Sequence, residues 1–349
     1  MLNPILYTEK VVSDFLRYQI TAYPFSDKNL YDQMRSLLNL EQTRNSPLLK
    51  GPYISLSQIF KEGASVTQLV DEGILHQHMQ NLIPYPAVYG HQETAIRHVV
   101  QNQTTLVSTG TGSGKSECFL YPIISHCLKL RDQKVPEGIT AVIVYPMNAL
   151  AEDQCDRLRG LLAGTGISFG LYIGKTPRQQ SDVTGRMIKG SSRADYEARR
   201  KKSAQDHKTS AVHPYEERVS RQEMQSNPPR ILLTNVKQLE LLLTRKQDIE
   251  MFDKSQLQFL VFDEAHTFSG AIGAETACLI RRLRTFCGKT QDDVTCIATS
   301  ATLADPIKGK QIGKDFAAKF FGVKPERVEL VGEEYERDYG KTSDRFPRP

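Results

Sequence analysis

TTLVSTGTGSGKSECFLYPII, residues 104–124, runs from a β-rich segment through small residues into a helical pattern. Such a strand–turn–helix unit lets backbone N–H groups close around phosphate oxygens at the start of a helix. Lys115 is then placed to reach the terminal phosphates of a nucleotide, and the Ser116 hydroxyl to bind Mg²⁺. The expected cradle comprises Thr109, Gly110, Thr111, Gly112, Ser113, Gly114, Lys115 and Ser116. The general pattern opens with glycine, and Thr109 stands there instead.

Around this unit the chain alternates. β-Rich runs occupy 104–109, 140–146, 167–174, 230–235, 259–264 and 294–301, and helical patterns occupy 115–129, 149–163, 236–245 and 270–286. Strands apolar on both faces and separated by helices predict a parallel α/β sheet. Ligands of such sheets sit at the carboxyl ends of the strands, where every motif below falls.

One such end is FLVFDEAHTFSGAI (259–272). Asp263 follows Lys115 by 148 residues and, in the same sheet, brings a carboxylate beside the Mg²⁺. Glu264 is the candidate general base that polarises the attacking water. Ser300-Ala301-Thr302 ends another strand, and the Ser300 and Thr302 hydroxyls are candidates to bond His266 and couple nucleotide state to a second ligand. Upstream, Gln92 lies 23 residues before Lys115, where it can hydrogen-bond an adenine edge; His91 beside it reads as structural.

In this order, the glutamine, TGSGKS, YPMNALAEDQ, LLTN, DEAH and SAT resemble the motifs of superfamily 2 helicases. The stretch Thr267-Phe268-Ser269-Gly270-Ala271-Ile272-Gly273, then ACLIRRLR, is similar to the Lhr-like and MrfA/YprA-type DNA helicases, as are YIGKTP (172–177) and SATLADP (300–306). The resemblance covers about 81–331 and implies a RecA-like P-loop domain using ATP and Mg²⁺, with Lys115, Asp263, Glu264 and His266 catalytic. It implies that Asn148, Ala149, Gly174, Thr234 and Asn235 line a single DNA strand or duplex junction through backbone and hydroxyl contacts. Arg281, Arg282 and Arg284 are either basic contacts or a solvated helix face. Some helicases of this type act in anti-phage systems such as DISARM and Druantia, which makes defence-system subunits candidate partners.

The 349 residues carry a net charge of +5, with hydrophobic content of 39%. Residues 175–227 hold twelve Lys/Arg against seven Asp/Glu, so the whole excess sits there. The family's insertion at this place is usually shorter, and 175–228 reads as a solvated, mobile insertion with a helical piece near 194–202, or else as a DNA contact. Residues 1–80 read as a mainly helical accessory extension, with helical patterns at 11–20, 29–40 and 66–74 and an extended or irregular stretch at 46–60. None of the six cysteines shows CxxC spacing, and no stretch of about 18 apolar residues occurs, which indicates scattered free thiols in a soluble, cytoplasmic chain without membrane partners.

After SAT the chain offers a last helix and an exit strand within 313–331, then a polar segment, 332–349, that reads as a linker. This arrangement predicts a first motor domain (81–331) whose second RecA-like domain lies outside the sequence. The competing expectation is a nucleotide-switched assembly module without unwinding, and an RNA substrate is a weaker third.

Overall fold

The structure, a computed structural model, describes residues 4–22, 25–38, 59–110, 112–188, 192–205, 212–253, 255–300 and 308–336. It comprises two compact units, Met1–Gln58 and Ile59–Pro349. In the first, α1 (Pro4–Ala22) and α2 (Lys28–Leu37) pack through Leu16, Ile20 and Leu38. The Asp27 side chain caps α2 by accepting from the Asn29 and Leu30 N–H groups. The expected extended stretch at 46–60 falls outside the described residues apart from Ile59 and Phe60.

The second unit starts earlier than the sequence pattern suggests. Residues 59–80, grouped by that pattern with the extension, contain β1 (Glu62–Ser65), α3 (Val66–Asp71) and the start of α4 (Met79–Leu82). β1 pairs antiparallel with β2 (Ala87–Tyr89), and Val66, Leu69, Leu75 and Met79 enter the main core. Their apolar side chains share one core with the rest of the second unit, which is why the boundary moves to residue 58.

The rest follows in chain order: α5 (Gly90–Val100), β3 (Thr104–Ser108), α6 (Lys115–Asp132), β4 (Ala141–Tyr145), α7 (Asn148–Leu162), β5 (Phe169–Tyr172), β6 (Arg186–Ile188), α8 (Arg193–Gln205), β7 (Val212–Pro214), β8 (Glu217–Arg218) and α9 (Arg221–Ser226). Then come β9 (Ile231–Asn235), α10 (Val236–Leu242), α11 (Lys246–Ile249), β10 (Phe259–Phe262), α12 (Gly270–Phe286), β11 (Thr295–Ser300), α13 (Lys308–Phe321) and β12 (Val328–Gly332).

Eight strands form one parallel sheet in the order β12-β3-β11-β10-β4-β9-β5-β8. Side chains alternate across it. Ala141, Ile143 and Tyr145 of β4 and Phe259 and Val261 of β10 join a core with α5, α6 and α7. Val142 and Val144, with Leu260 and Phe262, join another with α10, α12 and α13. Both faces are therefore apolar, as a covered parallel sheet requires. This is the parallel α/β sheet that the alternation predicts, in the RecA-like form that the resemblance implies.

The basic insertion departs from a solvated loop. The expected helical piece is α8, while β6 and β7 pair with each other and β8 adds the eighth strand. His213, Glu217 and Met224 are buried. Apolar and paired groups within this polar segment give it a core to fold against. The six cysteines are free. Among the described residues, no helix is long and apolar enough to cross a membrane.

Candidate functional site

β3 delivers the chain into the phosphate loop at the carboxyl edge of the sheet, between β12 and β11. Thr109 is fully buried, and its hydroxyl lies 2.7 Å from Ser113 Oγ, which donates in turn to the Gly110 carbonyl at 2.9 Å. Thr109 thus braces the turn from inside. Gly112 and Gly114 have φ of 83° and 77°, a left-handed backbone that L side chains rarely adopt. A Cβ on Gly114 would also collide with Gln92 Nε2. Thr111 lies outside the described residues.

Gln92 is tied to this loop. Its Oε1 accepts from Tyr89 N at 2.9 Å and its Nε2 donates to the Gly114 carbonyl at 3.1 Å. The amide expected at an adenine edge is here committed within the protein. His91 is fully buried, with Nε2 2.9 Å from the Ser113 carbonyl oxygen, and burial lowers its pKa. Sequence reasoning missed Glu333, just beyond β12, whose carboxylate accepts the Gly110 N–H. The residue lies 223 positions away and carries no motif.

The acidic strand end meets the loop from the other side of β11. The register Phe262↔Ala298 sets Thr299 beside Asp263. Thr299 Oγ1 donates to Asp263 Oδ1 and accepts from the Glu264 N–H at 2.9 Å, so one hydroxyl fixes both acidic residues. Glu264 has φ of 50°, an unusual backbone for a residue with a Cβ. This turn places its Oε1 3.3 Å from Lys115 Nζ and its Oε2 3.3 Å from His266 Nδ1. Lys115 also donates to the Ser300 carbonyl at 3.4 Å. His266 therefore faces Glu264, and Thr302, expected to bond it, lies outside the described residues.

Burial raises the Asp263 carboxyl above its ordinary range, and the Glu264 charge pushes the same way. The Thr299 hydrogen bond and the Lys115 charge oppose this without reversing it. A buried carboxylate short of positive charge suits a cation. Ser116 Oγ makes no hydrogen bond to the described residues. These hard oxygen donors fit Mg²⁺, which takes few protein ligands and completes its shell from phosphate and water. Among the described residues, no group of three His, Cys, Asp or Glu is arranged to hold a metal alone.

The residues past the tetrad anchor it. Thr267 Oγ1 donates to the Glu264 carbonyl at 2.8 Å, and the Phe268 ring packs edge-on to Phe262 and stacks near Phe320. Gly270 has φ of 59°, and a Cβ on Gly273 would lie 2.5 Å from the Phe268 carbonyl oxygen. TFSGAIG is thus a folding requirement of this corner.

At the same sheet edge Asn235 Nδ2 donates to Asn148 Oδ1 at 2.6 Å, joining the ends of β9 and β4. Ala149 and Gly174 are exposed beside them. Thr234 differs from expectation: it is fully buried and its hydroxyl donates to the Tyr172 carbonyl at 2.7 Å, so its side chain braces the sheet. Arg281 bonds backbone carbonyls, Arg282 pairs with Glu240, and Arg284 is buried.

Residues 89–190 and 194–309 match the DEAD/DEAH box helicase family. The chain is 30% identical to Druantia protein DruE of Escherichia coli (strain UMEA 4076-1), over 88% of this chain and 21% of that protein. It is 24% identical to the uncharacterised ATP-dependent helicase YprA of Bacillus subtilis (strain 168), over 66% of this chain and 25% of the relative. The chain thus spans about a fifth to a quarter of these relatives' length. Among solved structures, the DUF1998 helicase MrfA bound to DNA and AMPPNP shares the fold with a TM-score of 0.53 and 22% identity, over 78% of this chain and 30% of that one. With a phosphate loop facing an acidic strand end across the intervening strand β11, and this match spanning most of the sheet, the chain belongs to the DEAD/DEAH box helicases.

Proposed function

We propose that this domain is the ATP-hydrolysing half of a DNA helicase or translocase motor. The observation that carries the reading is the convergence of Lys115 with the adjacent Asp263 and Glu264, from two segments about 150 residues apart, at one sheet edge. Lys115 holds the terminal phosphates, and Glu264 orients and deprotonates the attacking water. Ser116 and Asp263 hold Mg²⁺, which, when bound, neutralises charge developing on the phosphates. Thr299 keeps the two acidic residues in their separate roles.

The other wall of the cleft belongs to a second RecA-like domain supplying arginine in trans to the bound nucleotide. The large share of DruE and YprA beyond the matched region supports this. Asn148, Ala149, Gly174 and the Asn235 amide face a single strand. DNA is favoured because the MrfA structures hold DNA. The likeness to Druantia protein DruE supports a place in a Druantia-like defence system.

The test is duplex unwinding by the full-length protein, with tailed DNA and RNA substrates compared. ATP-dependent separation of the DNA duplex is expected. An ATPase that DNA does not stimulate, or equal unwinding without ATP, overturns the reading.

A further inference from the structure

Next to Gly174 and Thr234, a cavity of about 480 Å³ opens between the end of β5 and the segments carrying α9 and α11. Its chemistry is that of an anion site. Arg178, Arg221 and Arg245 line it, together with Gln222, Gln247 and a buried Asp248. Asp248 is already engaged: the Tyr172 hydroxyl and Gln225 Nε2 donate to its Oδ1 at 2.6 and 2.7 Å. Arg245 stands 4.0 Å from its other oxygen. Three guanidinium groups therefore surround a cavity with one carboxylate that faces inward.

The three arginines differ in state. Arg221 is locked: it donates to the Thr176, Ile173 and Gly174 carbonyls at 3.1, 3.1 and 2.7 Å, and lies 5.3 Å from the Tyr172 ring centre. Its partners are neutral, so its charge is unmatched. Arg178 is exposed and makes no side-chain hydrogen bond or ion pair with the described residues, and neither Gln222 nor Gln247 does. Free guanidinium and amide groups thus rim a pocket whose floor is rigid.

The wall is shared with the expected strand track. The Tyr172 carbonyl accepts from Thr234, and the Gly174 carbonyl accepts from Arg221. The cavity lies within the roughly 300–1,000 Å³ of small-ligand sites. Arginine forks bind phosphate in two-pronged fashion, guanidinium planes stack on unpaired bases, and glutamine amides read base edges.

We propose that this cavity binds one phosphate–base unit of the nucleic-acid strand next to Gly174, with Arg178 and Arg245 on the phosphate and Gln222 and Gln247 at the base. The inference rests on the nucleic-acid motor reading and adds a site built largely by the 175–228 insertion. A strand gripped there is held beyond the sheet edge itself, which gives the insertion a purpose that its charge alone did not reveal.

The experiment measures binding of a single-stranded oligonucleotide to the full-length protein by fluorescence anisotropy across a salt series. Wild type is compared with R178Q/R245Q, R178K/R245K and the surface control K201Q/K202Q on α8. Each lost phosphate contact lowers the salt slope by about 0.7, so the glutamine pair, which gives up the grip on one phosphate, should lose about 0.7 in slope and at least tenfold in affinity. The lysine pair should retain the slope, and the α8 control should match wild type. An unchanged slope in R178Q/R245Q, or an equal loss in the control, overturns the pocket while leaving the motor reading standing. Binding of free nucleoside monophosphate in place of the oligonucleotide, lost in the glutamine pair, overturns the strand assignment. No oligonucleotide binding by wild type defeats both readings.

Discussion

Lys115 Nζ lies 3.3 Å from Glu264 Oε1, across 149 residues of sequence. The candidate phosphate-binding cation is thus paired with the candidate general base. In the proposed reaction, terminal phosphate competes with Glu264 for Lys115, and the carboxylate so released is the one that orients water. The Lys115 side chain is only 11% exposed, so little solvent competes for this exchange.

A second carboxylate sits on the cradle. Glu333 accepts the Gly110 N–H, a group that a nucleotide-binding loop offers to phosphate. Glu333→Gln should remove a competing negative charge and tighten nucleotide binding several-fold, read as a lower Kd by titration with a fluorescent ATP analogue. Unchanged or weaker binding would assign the residue to loop folding alone.

Asp263 supplies a pH test. Its carboxyl is raised by burial, so the folded chain holds that proton more tightly than the unfolded chain. The associated stability is full below the ordinary carboxylate range and declines as pH rises through the folded value. In magnesium-free buffer Asp263→Asn should therefore melt above wild type at pH 7. The difference should close at about pH 3, below the usual aspartate value. The same variant should lose Mg²⁺-dependent turnover. A lower melting temperature at pH 7 would contradict the assignment.

The buried cluster in the insertion predicts the opposite dependence. Glu217 accepts from Arg159 at 2.7 Å through both oxygens, and His213 Nδ1 lies 2.9 Å away. Burial alone would raise its pKa, but hydrogen bonds from His213 and Arg159 win and hold it below the usual range. Its stability is present above the unfolded value and is lost as pH falls through the folded one. Arg159→Leu removes the guanidinium from this buried carboxylate, leaving it with His213, and should cost about 3–5 kcal/mol, read by denaturant unfolding at pH 7. A loss near zero would mean that the cluster is solvated.

The motor reading also predicts how a part behaves. Residues 1–349 alone should bind ATP weakly and turn it over about 10³-fold or more below the full-length protein, because arginine supplied in trans contributes on that scale. Robust DNA-stimulated turnover by this stretch would remove the need for a second domain.

Strands and helices of the sheet were legible because burial on two faces leaves long apolar runs, and glycine with GKS punctuates them. The phosphate loop and the acidic tetrad were legible because their chemistry permits few substitutes. Thr299 was within reach: the residue before SAT pairs in register beside the tetrad. Glu333, the inward-facing Thr234 and the boundary at residue 58 were not. Each depends on tertiary packing between distant segments. The folded insertion was hidden for a related reason: its polar composition masks the few buried residues, Glu217 and Met224 among them, that organise it.

The most direct test of the central claim is Glu264→Gln in the full-length protein, with ATP binding and hydrolysis measured side by side. The account predicts nucleotide affinity within a few-fold of wild type and hydrolysis reduced by at least about 10². Hydrolysis that persists near the wild-type rate, or loss of ATP binding itself, would contradict the role given to Glu264 at the end of its strand.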